Sequence, residues 1–240
     1  MSSLTVIIPA YNEAGNIAET LAAVVPFIEK YFQDYEILVF DDCSKDDTGK
    51  IAESVAAQNP KIKVIHNPKN MGMGYNYKAG VKMARKDYVV MVPGDNDILE
   101  KTFDPLFQAV GEKDIILAYT ADMSMRPWGR VILSKTFTGL MNLLFGLRLK
   151  YFNGIVVHRT DLVRSIAIET DSFAYQAEAL VKLLRKGASY LELPQYIRER
   201  RYGSSKALGL RNIARVLKTI FRLWFKTFID GKPVSSNIKM

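Results

Sequence analysis

The chain has 240 residues, is 48% apolar and carries a formal net charge of +8. That length suits one sizeable α/β domain with a small appendage, and the absence of any charge-free run of 18 residues argues against a plain transmembrane helix. Cys43 is the only cysteine, which rules out an intrachain disulfide and a four-cysteine zinc site and makes a reducing compartment the default.

The first element is a strand-like run, "LTVIIP" at 4–9. No basic segment and cleavable apolar stretch precede it, so no secretory signal is expected. Ala14 to Phe32 then carries Ile17, Leu21, Val24, Val25 and Ile28 at helical spacing. "EILVFD" (36–41) reads as a strand, Thr48 to Gln58 as a helix, "IKVIH" (62–66) as a strand and Tyr75 to Arg85 as a helix. "YVVMV" (88–92) and "DIILAY" (114–119) complete five strands. Strands alternating with helices predict βαβ crossovers and a parallel sheet covered on both faces. His66 and His158 both fall in strand-like runs and read as structural histidines.

In such a sheet, ligands sit beyond the C-terminal ends of the strands. Polar clusters fall there four times: "PAYNE" (9–13), "DDCSKDD" (41–47), "NPKNMGMG" (67–74) and "PGDND" (93–97). One such cluster is an ordinary loop; four on one sheet edge predict a site. Ser44 or Asp46 can cap the helix that starts near Asp47. Capping leaves Asp41 unexplained, and a carboxylate at that strand end can accept hydrogen bonds from a base or from ribose hydroxyls. Asp95 and Asp97, separated by Asn96, repel each other unless solvent or a cation screens them. Hard oxygen ligands suit Mg2+ or Mn2+, which neutralises a diphosphate as charge builds on it.

Taken together, "VIIPAYNEAGNI", "VFDDCSKDDT", "NMGMGYNYKAG" and "VPGDND" resemble the nucleotide-binding half of the family-two inverting glycosyltransferases with the GT-A fold. The resemblance runs over about residues 4–206. Three further blocks, "WGRVILSK" (128–135), "AYQAEALVKLLRKG" (174–187) and "RRYGSSK" (200–206), resemble the polyprenyl-phosphate sugar synthases, such as dolichyl-phosphate mannose synthase. It implies that Pro9, Tyr11, Glu13, Asp41 and Asp42 line the nucleotide-sugar site. It implies that Asp95 and Asp97 hold metal, ribose or diphosphate, and that Arg130, with Ser134 nearby, faces the acceptor phosphate. Arg200 and Lys206 would close over the phosphates from a glycine-serine loop. Gln176 and Glu178 would orient sugar or phosphate, because a phosphate acceptor is already anionic and has less need of a base. The chain departs from the pattern at Leu99, where a polar metal ligand is usual, and at Asn153-Gly154, where an acid is usual. It also lacks an arginine at Tyr119 or Thr120, a place for which Arg126 is the candidate substitute.

The charge is concentrated in the tail. Residues 195–240 hold 11 Lys and Arg against 2 acids, and the other 194 residues hold 22 against 23. Over 207–229 the cations fall at 211, 215, 218, 222 and 226, one face of a helix, with Ile213, Val216, Leu217, Ile220, Leu223, Trp224 and Phe228 opposite. This pattern predicts a helix in a bilayer interface, with Trp224, Phe225 and Phe228 inserted and anionic lipid as partner. The plainer alternative is a helix packed on its own core. Nucleic acid is the runner-up partner for the charge, but no motif for it is present. The apolar run 131–147 would join the same platform.

The expectation is therefore an α/β enzyme with a GT-A domain at 1–206 and a basic interfacial helix and tail at 207–240. It would move a sugar from a nucleotide-sugar, GDP-mannose or a UDP-hexose, to dolichyl or undecaprenyl phosphate. It would act peripherally on the cytoplasmic face of a membrane, with a separate membrane subunit as a further partner. Two alternatives are a same-fold transferase with a carbohydrate or glycolipid acceptor and an inactive nucleotide-sugar-binding subunit. A sugar-nucleotide pyrophosphorylase fits poorly, because the early glycine-rich stretch with arginine is missing.

Overall fold

β1 (Leu4–Ala10) is buried at every residue, and its alternation separates two layers. Val6 and Ile8 pack with Leu21, Val24 and Ile28 of α1 (Ile17–Tyr31). Ile7 packs on the other side with Tyr77 and Val81 of α3 (Met73–Met83). Gly80 makes that second contact close: a Cβ there would lie 2.4 Å from Ile7 Cδ1. The structure is a computed structural model that describes residues 2–124, 126–198 and 210–229, with side chains in the last segment described from 216 to 227.

β2 (Tyr35–Asp41), β3 (Ile62–His66) and β4 (Tyr88–Met91) run parallel with β1, and α2 (Thr48–Ala56) and α3 supply the later crossovers. β5 (Ile115–Thr120), β6 (Val156–Arg159) and β7 (Tyr190–Gln195) complete a seven-stranded sheet in the order β3-β2-β1-β4-β6-β5-β7. β6 is antiparallel to both of its neighbours, and β7 is parallel to β5. All five expected strands are present within a few residues of their predicted ends. β6 and β7 are additions, and β6 makes the sheet mostly rather than wholly parallel.

Four α-helices lie between β4 and the tail helix among the described residues. They are α4 (Phe103–Gln108), α5 (Trp128–Phe145), α6 (Thr160–Arg164) and α7 (Tyr175–Arg185). A third apolar cluster joins Ile115 and Leu117 of β5, Met141 and Phe145 of α5, and Leu180 of α7.

The expected tail helix is α8 (Leu210–Ile229), and its apolar side is divided. Ile220 and Leu223 are buried in the third cluster, with Val216 and Trp224 packed partly against it. Leu217, Phe221 and Phe225 are exposed, the last two at 68% and 53%. Trp224 was expected to insert into lipid; the core takes part of it instead. The basic side is corrected as well. Lys226 and Arg222 pair with Glu169 at 2.7 and 3.5 Å, so they face the domain. Packing on its own core therefore describes one stripe of α8 and leaves another apolar stripe outside. The side chains of Arg211, Ile213, Arg215 and Phe228 lie outside the described residues.

Candidate active site

Strain in the backbone collects where the sequence places the site. Among the described residues, three that are not glycine have positive φ: Asn12 at 56°, Cys43 at 63° and Asn96 at 51°. They follow β1, β2 and β4, at the edge where parallel sheets bind ligands. The first two loops are laced together. Asn12 N–H donates to Ser44 Oγ at 3.0 Å, Lys45 N–H donates to Asn12 Oδ1 at 2.8 Å, and Glu13 N–H donates to Thr48 Oγ1 at 2.7 Å. Asp46 accepts the Thr48 and Ala14 N–H groups at 3.1 and 3.2 Å, so it serves the start of α2 as expected.

Pro9 is buried in β1, and its carbonyl accepts the Gly94 N–H at 3.1 Å, which draws the β4 turn against the end of β1. A Cβ on Gly94 would lie 3.1 Å from that carbonyl oxygen. Tyr11 is half-buried just past β1, and Glu13 accepts Asn16 Nδ2 at 2.6 Å.

Asp41 and Asp42 do different work. Asp41 accepts the Ser44 N–H and meets His66 Nδ1, each at 3.0 Å. Burial pushes its carboxyl up, but the bonds from Ser44 and His66 together hold it below the ordinary range. Asp42 accepts the Met71 and Gly72 N–H groups and Asn67 Nδ2, at 2.8, 2.9 and 2.7 Å. Its carboxylate therefore pins the loop ahead of α3. Gly72 allows that loop its turn, with φ at 88°.

Asp95 is 7% exposed, and the Asp97 carboxylate is largely enclosed, with Oδ1 buried and without a hydrogen bond. Burial raises the Asp97 carboxyl above its ordinary range against the pull of Arg126, Arg130 and Arg198. Arg126 donates to the Tyr151 hydroxyl at 2.8 Å, and Arg130, half-buried on α5, has its pKa lowered by burial and by Arg126. Arg198 reaches the site through backbone pairing: its N–H donates to the Asp97 carbonyl at 2.8 Å, and Leu99 N–H donates to the Tyr196 carbonyl at 2.9 Å. Arg198 Nη2 meets Glu100 at 2.7 Å, while its Nε is buried without a partner. Three guanidinium groups around one carboxylate form an anion site that suits phosphate oxygens.

The donor set also fits a divalent cation. Two adjacent carboxylates, one with a buried oxygen lacking a hydrogen donor, match a hard ion that keeps water and substrate oxygens as its other ligands. Among the described residues no group of three or more metal-ligating side chains occurs, consistent with Leu99 in place of a third ligand.

α5 is polar inward and apolar outward. Arg130, Ser134 and Thr138 follow one another at four-residue spacing, and the hydroxyl oxygens of the last two are buried without hydrogen bonds. Only beyond them does the inner side become Met141 and Phe145 in the core. Outside lie Trp128 at 79%, Ile132 at 55% and Leu143 at 81% exposure.

Gln176 and Glu178 are both bonded within the protein. Gln176 Nε2 donates to the carbonyls of Phe152 and Gly154 at 2.7 and 2.6 Å, which fixes the turn that carries Tyr151. Glu178, 2% exposed, accepts Lys182 Nζ at 2.6 Å and the Glu169 and Thr170 N–H groups at 3.1 Å. Their polar atoms are engaged in these bonds within the protein. Arg200 and Lys206 lie outside the described residues. Arg198 and Tyr151 were missed by the sequence reading. "IRERR" at 197–201 offered a signal for the first, but within it Arg200 was singled out and Arg198 was counted only as tail charge.

Residues 5–162 match the family model for glycosyl transferase family 2. The chain belongs to glycosyl transferase family 2. As a family-2 enzyme it is 30% identical over 218 residues to polyprenol monophosphomannose synthase of Mycolicibacterium smegmatis, covering 85% of this chain and 80% of that protein. It is 28% identical over 214 residues to undecaprenyl-phosphate mannosyltransferase of Micrococcus luteus, covering 85% and 86%. Among solved structures it resembles glucosyl-3-phosphoglycerate synthase of Mycobacterium tuberculosis in complex with Mn2+ and UDP. The TM-score is 0.72 at 16% identity, over 93% of this chain and 80% of that one. The same synthase also resembles it, at a TM-score of 0.71 and 15% identity, in a complex with Mg2+ and UDP. The expected GT-A fold of the family-2 transferases is thus the fold observed.

Proposed function

We propose that this family-2 transferase moves a sugar from a nucleotide-sugar to a polyprenyl phosphate, with inversion at the anomeric carbon. The observation that carries the reading is the cluster of Arg126, Arg130 and Arg198 around Asp97, roofed by a helix whose outer face is apolar. Two anionic groups must meet in such a reaction, the donor diphosphate and the acceptor phosphate, and the acceptor is attached to a lipid. The names of the two relatives agree with that acceptor.

Asp41 meets the base, with Pro9, Tyr11 and Glu13 around the nucleotide. Asp95 and Asp97 would hold Mg2+ or Mn2+, which would supply charge neutralisation for the leaving diphosphate. Arg130 and Arg126 bind the acceptor phosphate, with Ser134 offering a hydroxyl, and Arg198 faces the phosphates from the β7 side. Arg200 and Lys206, from the following segment, are proposed to close over them. The acceptor oxygen is already negative near neutral pH, so orientation rather than proton removal is the enzyme's task. A single in-line displacement then inverts the sugar.

Among the described residues no helix is long and apolar enough to cross a membrane. α5 and α8 touch each other, and Trp128, Ile132 and Leu143 on one and Leu217, Phe221 and Phe225 on the other give an apolar exterior. We place this surface in the headgroup layer at the cytoplasmic face. Nearby cations there would contribute on the order of 1 kcal/mol each. A separate membrane subunit is the other occupant to be tested.

The test is a panel of nucleotide-sugars, GDP-mannose and UDP-hexoses included, each with polyprenyl phosphate and Mg2+ or Mn2+, read by mass. A glycosyl polyprenyl phosphate is expected from at least one donor. Sugar appearing only on carbohydrate or glycolipid acceptors would contradict the proposal.

A further inference from the structure

His66 lies beside Asp41 as its register partner across the parallel β2–β3 pair. Its ring is bonded at both ends: Nδ1 lies 3.0 Å from Asp41 Oδ2, and Nε2 lies 3.0 Å from Glu53 Oε1 on α2. Carboxylates only accept, so both ring nitrogens must donate for both bonds to hold, and that form is the imidazolium. Asp41 from β2 and Glu53 from α2 are the charged groups facing the ring. The start of α2 leaves room for this pair only because residue 49 is glycine. A Cβ there would lie 2.8 Å from Asp41 Oδ2 and 3.0 Å from His66 Cε1. The ring is 47% exposed and the Asp41 side chain 11%, so the ring forms the outer wall of the carboxylate. Ser44 N–H holds the other oxygen, Oδ1. Both Asp41 oxygens are thereby oriented by the protein, and each keeps acceptor capacity for a ligand.

We propose that His66 is a positioning residue for the donor: held by Glu53, it aims the Asp41 carboxylate at the N–H groups of the nucleotide base. The inference depends on Asp41 being the base contact, as proposed above. It predicts a defect confined to ligands that carry a base. The pyrophosphate end belongs to a separate cluster, Asp95, Asp97 and the three arginines.

The experiment is calorimetric titration of the full chain with GDP, UDP and inorganic pyrophosphate, each with Mg2+, on wild type, His66→Leu, His66→Asn and Asp41→Asn. Asparagine places a donor near the position of Nδ1 and leucine places none. His66→Leu should weaken the preferred nucleoside diphosphate about tenfold or more, the scale of a hydrogen bond to a charged group. Pyrophosphate affinity should stay unchanged, and His66→Asn should recover most of the loss. Nucleotide affinity unchanged in His66→Leu, or pyrophosphate affinity falling in parallel, would overturn the positioning role. If Asp41→Asn also leaves nucleotide affinity unchanged, the base contact itself is wrong. If Asp41→Asn weakens it and His66→Leu does not, the base contact stands and only the role of His66 falls.

Discussion

Asp97 and the two histidines show how environment decides what a residue type does. Asp97 is a loop carboxylate facing three guanidinium groups. Asp97→Ala should lower turnover by about a hundredfold or more, as expected when a preorganised electrostatic group is lost. Its thermal unfolding should stay close to wild type, which differential scanning calorimetry would check. His158 is fully buried beside the Tyr77 hydroxyl at 3.0 Å, and burial lowers its pKa to about 3, so it stays neutral and structural. His66 goes the other way: its bond to Asp41 raises its pKa, opposed by burial and helped by Glu53. A raised histidine stabilises the fold fully below its unfolded value of 6.5 and ceases to do so as pH rises through the folded value. Asp41, lowered from 3.8, stabilises above that value and ceases to do so as pH falls through its folded pKa. The Tm gap between wild type and His66→Leu should therefore be widest between about pH 4 and 6.5 and shrink above that window. A gap that grows with alkaline pH would contradict the ion-paired ring.

The helices α5 and α8 show what periodicity can and cannot say. Spacing found α8 and marked it as amphipathic, whereas α5 (Trp128–Phe145) was legible only as an apolar run at 131–147. Spacing could not divide the apolar side of α8, because that division depends on which residues meet Ile115, Leu180 and Phe145 in the third cluster. Nor could it show that α5 turns Arg130, Ser134 and Thr138 inward, because a polar inner stripe is explained only by the site beneath it. The two stripes of α8 should respond differently to substitution. Leu223→Ala should destabilise the fold by about 2–4 kcal/mol in urea denaturation, the range for a buried leucine. Phe221→Ser with Phe225→Ser should leave stability nearly unchanged and reduce flotation with anionic vesicles. Unchanged flotation would remove these residues from the membrane surface. Point changes are the right tool here, since deleting α8 would strip Ile220 and Leu223 from the core.

At the scale of the whole molecule, the half of the sheet that carries the nucleotide motifs was legible. β1 to β4 are apolar, β-branched runs, each followed by a polar cluster, and the parallel crossover rule then puts those clusters on one edge. Of the other half, only β5 was. β6 has four residues and runs antiparallel, and β7 carries Glu192 and Pro194 at a sheet edge, so neither announces itself by pattern. The site mirrors this split. Asp41, Asp95 and Asp97 stand at strand ends that could be read, whereas Tyr151 and Arg198 come from segments whose partners lie 25 and about 100 residues away. Asp42 looked like its neighbour in sequence, and only the N–H groups of Met71 and Gly72 reveal its separate task. Gln176 and Glu178 sit on α7, where spacing discloses the Glu178–Lys182 pair but not the backbone groups that both residues also bond.

The central claim is a single displacement in which an acceptor phosphate, held by arginines, replaces the donor diphosphate. NMR of the anomeric centre in the lipid product tests it most directly, with an α-linked nucleotide-sugar as donor and polyprenyl phosphate as acceptor. The account predicts a β-linked sugar phosphate. An α-linked product would contradict it, because one in-line displacement inverts the anomeric centre.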